Sequence, residues 1–104
     1  LVEYLFAPAD LPKSILDDAD AIARRIIHEL DMVGLLAVEM FVTKSGKVLV
    51  NEIAPRPHNS GHQTIEANIT SQYEQHLRAI LNLPLGDTDL LMPSAMVNLL
   101  GEPD

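Results

Sequence analysis

Two apolar runs, LLAVEMFVT (35–43) and KVLVNEIA (47–54), follow one another with almost no chain between them. Strands that close in sequence can pair only antiparallel, and Ser45-Gly46 within the connecting KSGK can supply a two-residue hairpin turn. In that register Thr43 faces Val48, Phe41 faces Val50 and Glu39 faces Glu52. The two carboxylates are then direct neighbours on one sheet face. Opposed residues have Cβ atoms about 5 Å apart, and at an effective dielectric near 20 two unit charges at that distance repel by roughly 3 kcal/mol. The surrounding positions are otherwise apolar. A divalent cation turns such repulsion into attraction, and two carboxylates completed by water and phosphate oxygens suit Mg2+. The plainer alternative is neutralisation by Lys or Arg, or a wet sheet face.

The remaining chain alternates helix and strand signals. Residues 1–6 read as a strand, and APADLP as a connector whose prolines cannot enter a central strand. Over 14–30, Ile15, Ala19, Ile22, Ala23, Ile26, Ile27 and Leu30 recur at helical spacing, with Asp17 and Asp18 expected in the first turn and Gly34 marking the exit. A second helix is expected from Ser71, since Ser71 and Glu74 have capping-box spacing, and Pro84 ends it. Residues 86–93 read as loop and SAMVNLLG as a last short strand. The fold class is therefore α+β with an antiparallel hairpin at its centre.

After the second strand the sequence changes character, to PRPHNSGH (55–62). Pro55 and Pro57 stiffen the chain and fix where Arg56 and His58 point. Asn59, Ser60 and Gly61 suit a tight turn with exposed amides. Arg56, His58, Asn59 and His62 thus form a rigid donor cluster beside the expected metal, fit for a small anion. His58 and His62 have the i, i+4 spacing of a zinc pair, but Pro57, Ser60 and Gly61 oppose a helix there. His28 and His76 fall in amphipathic helices and read as surface or packing residues.

Charge and composition remove several classes of function. A formal charge of −8 with only seven Lys and Arg argues against a nucleic-acid surface and against anionic lipid. No cysteine is present, which excludes disulfides and thiolate metal sites and fits a reducing compartment, with the cytoplasm expected. No apolar run reaches the roughly 20 residues of a bilayer span. The chain opens at Leu1 inside an apolar run, so a piece of a longer protein is expected.

The stretch from AVEMFVTKSGKVLVNEIAPRPHNSGHQTIEANITSQYEQHL to RAILNLPLGDT closely resembles the 5-(carboxyamino)imidazole ribonucleotide synthases, the ATP-grasp enzymes also described as the ATPase subunit of phosphoribosylaminoimidazole carboxylase. The resemblance implies a cytoplasmic, homodimeric purine-biosynthetic ligase that uses ATP, Mg2+ and bicarbonate to carboxylate 5-aminoimidazole ribonucleotide, through carboxyphosphate. It implies metal binding by Glu39 and Glu52, with Asn51 on the cofactor side. It also implies bicarbonate and intermediate contacts from Arg56, His58 and Asn59, these three being the catalytic candidates, and a substrate-side place for Ser60 and His62. In the wider superfamily an Asn two residues after the second glutamate also touches metal. Ala54 stands there, and the expected register turns Asn51 to the opposite sheet face, so coordination is assigned to the glutamates alone. The implied division is an ATP-grasp part over 1–84 and the start of a C-terminal segment over 85–104. Two rivals are a formate-dependent glycinamide ribonucleotide transformylase, which shares Pro-Arg-Pro-His, and a non-catalytic acidic ATP-grasp-like module.

Overall fold

The computed structural model describes residues 3–103, so Leu1 and Val2 of the expected first strand lie outside the described residues. In chain order the elements are β1 (Tyr4–Ala7), α1 (Lys13–Glu29), β2 (Ala37–Val42), β3 (Val48–Ala54), a 3-10 turn (Asn59–Gly61), α2 (Thr64–Ala67), α3 (Gln72–Ile80) and β4 (Ser94–Val97). They form two antiparallel two-stranded sheets, β1 with β4 and β2 with β3. The α+β expectation holds. Among the described residues no helix is long and apolar enough to cross a membrane.

α1 is the amphipathic helix its periodicity announces. Ile15, Ala19, Ile22, Ala23, Ile26 and Ile27 are half-buried, while the charged positions between them are exposed. Ala23 and Ile27 meet Leu36 and Val38 of the β2 segment in a shallow apolar cleft. Successive strand residues point to opposite faces, so α1 covers the Val38 face and leaves the Glu39 face open. The helix starts at Lys13 behind Pro12, which corrects one expectation: no acidic residue occupies its first turn. Asp17 instead sits one turn on and accepts from Lys13 Nζ at 2.7 Å.

The hairpin turn is also corrected. Gly46 N–H donates to the Thr43 carbonyl and Thr43 N–H to the Lys47 carbonyl, both at 2.9 Å, which makes a three-residue loop with Gly46 at φ +85°. That loop shifts the ladder near the tip: Val42 faces Val48, Phe41 faces Leu49 and Met40 faces Val50. A β-bulge between Met40 and Glu39 then places one extra residue, Asn51, in β3, and the pairing resumes with Glu39 opposite Glu52. The glutamates face each other as expected, although the turn does not have the expected form. A Cβ at Gly46 would meet only Ile15 Cδ1 at 3.7 Å, so Gly46→Ala carries backbone strain and no clash. The expected loss is about 1–2 kcal/mol in an unfolding titration of the full-length protein.

α3 starts and stops by local chemistry. Ser71 Oγ accepts the Glu74 N–H at 3.1 Å, and the Glu74 carboxylate turns to Arg78 at 3.0 Å. Asn82, at φ 56°, closes the helix ahead of Pro84, with Leu83 N–H on the Arg78 carbonyl at 2.8 Å. His76 is a packing residue, as expected: its Nδ1 accepts the Leu35 N–H at 3.0 Å, while His28 is exposed. β4 is shorter than expected and pairs with β1 in the register Tyr4 to Val97, Leu5 to Met96, Phe6 to Ala95. Apolar burial is sparse. Ala67 is the only fully buried hydrophobic among the described residues, and Tyr4, Phe6, Phe41 and Val97 are each about 60% exposed or more.

Candidate active site

The site stands on the open face of the hairpin. Glu39 and Glu52 are cross-strand partners there, and one donor atom from each of Glu39, Glu52 and His58 lies within 4.8 Å of the others. The bulge changes the expected place of Asn51. Rather than turning to the opposite face, it donates from Nδ2 to Glu39 Oε2 at 3.3 Å, because the extra residue brings its side chain round to the glutamate side. His58 Nε2 lies 3.5 Å from Glu39 Oε1, longer than an ideal hydrogen bond but directed at the same carboxylate. Glu39 therefore has two donors against its charge. Among the described residues Glu52 has none, and it is exposed.

The loop from Ala54 delivers His58. Arg56 N–H closes a tight turn on the Ala54 carbonyl at 2.9 Å, and His58 then caps the 3-10 turn in extended conformation. The Ser60 N–H donates to His58 Nδ1 at 3.3 Å, and Ser60 Oγ lies 2.9 Å from the same nitrogen. A backbone N–H can only donate, so Nδ1 is the acceptor and the neutral ring carries its proton on Nε2, facing Glu39. His58 is 8% exposed. With its proton on Nε2 it turns an N–H and not a lone pair to the cluster, so the two carboxylates are the groups there that could hold a cation. Their hard oxygens on an accessible face fit Mg2+.

Not every expected residue joins this cluster. The Arg56 guanidinium is exposed and donates from Nη1 to the Pro57 carbonyl at 3.0 Å. Asn59 is half-buried in the 3-10 turn, where its carbonyl accepts the His62 N–H at 3.2 Å. His62 stands apart from the glutamates: its ring stacks on Tyr73 at a 6.0 Å centroid distance, and its Nδ1 meets Tyr73 Oη at 2.8 Å and Gln72 Nε2 at 3.0 Å. The two histidines thus serve different partners, and no shared metal pair forms. Gln72, which sequence reasoning treats only as part of a helix, is buried against the site loop. A polar residue directly after the Ser71 cap is ordinary in sequence, so no signal marks it there.

Two facing strand carboxylates stand beside a polar loop carrying a buried histidine on an α+β scaffold. Residues 1–73 match the ATP-grasp domain family, and the chain belongs to that family. Among its relatives, the N5-carboxyaminoimidazole ribonucleotide synthase of Bacillus subtilis is 58% identical over 95 residues, 91% of this chain and 25% of that protein. The crystal structure of the corresponding synthetase from Thermotoga maritima superposes with a TM-score of 0.93 at 58% identity, over 95% of this chain and 28% of that one. The synthase from Aspergillus clavatus, solved in complex with ADP and 5-aminoimidazole ribonucleotide, gives 0.92 at 39% identity over 96% of this chain and 28% of that one. The chain spans about a quarter of the length of these relatives.

Proposed function

We propose that this chain supplies the metal-binding and bicarbonate-facing part of an ATP-grasp site that carboxylates the exocyclic amine of 5-aminoimidazole ribonucleotide. The observation that carries the reading is buried His58, whose Nε2 lies 3.5 Å from Glu39 Oε1 within the cluster it makes with Glu39 and Glu52; this supports an anion-binding N–H next to a cation-binding pair. The names of the relatives support the same chemistry. In the reaction a bicarbonate oxygen attacks the γ-phosphorus of ATP and the bond to the bridging oxygen breaks, releasing ADP and forming carboxyphosphate. The substrate amine then attacks the carboxyl carbon, phosphate leaves with the C–O bond electrons, and the nitrogen loses a proton. Glu39 and Glu52 would hold Mg2+, which would neutralise charge on the phosphate oxygens.

The chain's own groups have distinct parts in this. His58, with Nδ1 occupied by Ser60, is a donor to a developing oxyanion and not the base that takes the amine proton. Ser60 acts through that ring. Arg56 keeps most of its guanidinium N–H groups uncommitted and is free to fork onto a carboxylate-shaped anion, and Asn59 lies beside it in the loop. The complete protein is read as a cytoplasmic homodimer, as the family implies. The test is Arg56→Lys in the full-length protein. Lysine keeps the charge and loses the planar fork, so carboxylation efficiency toward bicarbonate should fall by about 1.5–3 kcal/mol, or roughly 10–150-fold, with the ATP KM little changed. A raised ATP KM with bicarbonate dependence intact would move Arg56 to the nucleotide side and remove this assignment.

A further inference from the structure

Gln72 is the first residue of α3 and is 8% exposed, yet its side chain is spent entirely on the loop fourteen residues before it. Its Oε1 accepts the His58 N–H at 2.9 Å, and its Nε2 donates to the His58 carbonyl at 2.9 Å, so one amide grips both sides of the same residue. Its own N–H is held by Thr64 Oγ1 at 2.9 Å. The loop is shaped around the amide. A Cβ on Gly61 would stand 2.6 Å from Gln72 Oε1 and 2.9 Å from its Cδ, so only glycine admits the side chain there.

The amide orientation has a chemical consequence. Because the His58 N–H can only donate, Oε1 must face it and Nε2 must face the other way. One Nε2 hydrogen goes to the His58 carbonyl, and the other points at His62 Nδ1, 3.0 Å away. Nδ1 therefore offers a lone pair, shared with the Tyr73 hydroxyl, and the neutral His62 ring carries its proton on Nε2. We propose that Gln72 is a positioning residue for the carboxylation site: by gripping the His58 peptide it places the His58 ring over Glu39, and by donating to His62 it fixes that ring's tautomer, so that both histidines present Nε2–H. The catalytic consequence rests on the function proposed above, and the tautomer does not.

The experiment uses the full-length protein with 15N-labelled histidine, read by long-range proton–nitrogen correlation without substrates, together with steady-state kinetics. In the wild type, His62 Nδ1 resonates as an unprotonated nitrogen and Nε2 as a protonated one. Gln72→Glu keeps the acceptor for the His58 N–H but turns a carboxylate oxygen toward His62, so Nδ1 becomes protonated. The kcat of carboxylation falls by about 10²-fold, the scale of a misplaced catalytic group, while the ATP KM holds. A protonated Nδ1 in the wild type overturns the proposal, as does a Gln72→Glu protein with wild-type tautomer and kcat. If that variant does not fold, the wild-type tautomer decides alone. Failure of the bicarbonate assignment would show in the Arg56→Lys kinetics and would leave the tautomer result standing.

Discussion

Glu52→Gln is expected to reduce MgATP-dependent turnover of the full-length protein by about 10²–10³-fold, the scale of removing one preorganised electrostatic group, while leaving the metal-free protein at least as stable as wild type. The asymmetry of the pair makes the prediction sharp. Glu39 is compensated by Asn51 Nδ2 at 3.3 Å and by His58 Nε2 at 3.5 Å, whereas among the described residues Glu52 receives no hydrogen bond or ion pair. Without a cation its charge only repels its cross-strand neighbour. The repulsion lies below the roughly 3 kcal/mol of a partly buried pair and nearer the water-like value of about 1 kcal/mol, because the Glu39 side chain is 34% exposed and Glu52 is exposed. Glu39→Gln should gain less, since it removes a charge that already has two donors. Thermal unfolding in EDTA and titration of MgATP check both halves. A Glu52→Gln protein melting well below wild type would mean that Glu52 is held by a cationic partner. Unaltered MgATP affinity would take it out of the metal site.

The facing glutamates were legible because hairpin pairing is a local property, but two local details hid behind the correct result. The three-residue turn moves the ladder by one residue and the bulge at Asn51 moves it back, so the pairing at Glu39 and Glu52 comes out as a two-residue turn would give it. Periodicity cannot reveal a bulge inside an apolar strand. For that reason the sequence turned Asn51 away from the site, while the folded chain places its amide on Glu39. The Ser71 cap of α3 was readable for the opposite reason: it depends on spacing within a single turn.

What stayed hidden depends on distant partners. The 3-10 turn lies in a stretch whose Pro, Ser and Gly content argues for loop, and α2 is a single short turn after it; both are held by Thr64 and Gln72. The pairing of β1 with β4 joins residues at opposite ends of the chain, and no local pattern encodes it. Gln72 is the sharpest case. Its effect on His58 and His62 exists only once α3 is docked against the loop, and a lone Gln after a helix cap carries no sequence signal.

The 104-residue chain by itself is expected to show no bicarbonate-stimulated ATP hydrolysis. Phosphoryl transfer is accelerated by charge placed around the transferring group from all sides, and positioning is most of the catalysis. In the proposed function this chain provides the acidic side. Its described donors beside the pair, Asn51 and His58, both lie against Glu39, the Arg56 guanidinium turns back onto its own loop, and the sequence holds no Gly-rich loop of the kind that covers nucleotide phosphates. The structure shows the same incompleteness in its packing. With Ala67 alone fully buried among the described hydrophobics, and Phe41 of the site hairpin 59% exposed, much apolar surface is uncovered. The chain alone should therefore bind a dye that reports exposed apolar surface, and bind it more strongly than the full-length protein does. Turnover is measured as ADP release with and without bicarbonate, at equal concentrations of the two proteins. Clear bicarbonate-stimulated release by the 104-residue chain would mean that it carries its own phosphate-holding groups, and the division of labour drawn from the glutamate face and the donor loop would be wrong.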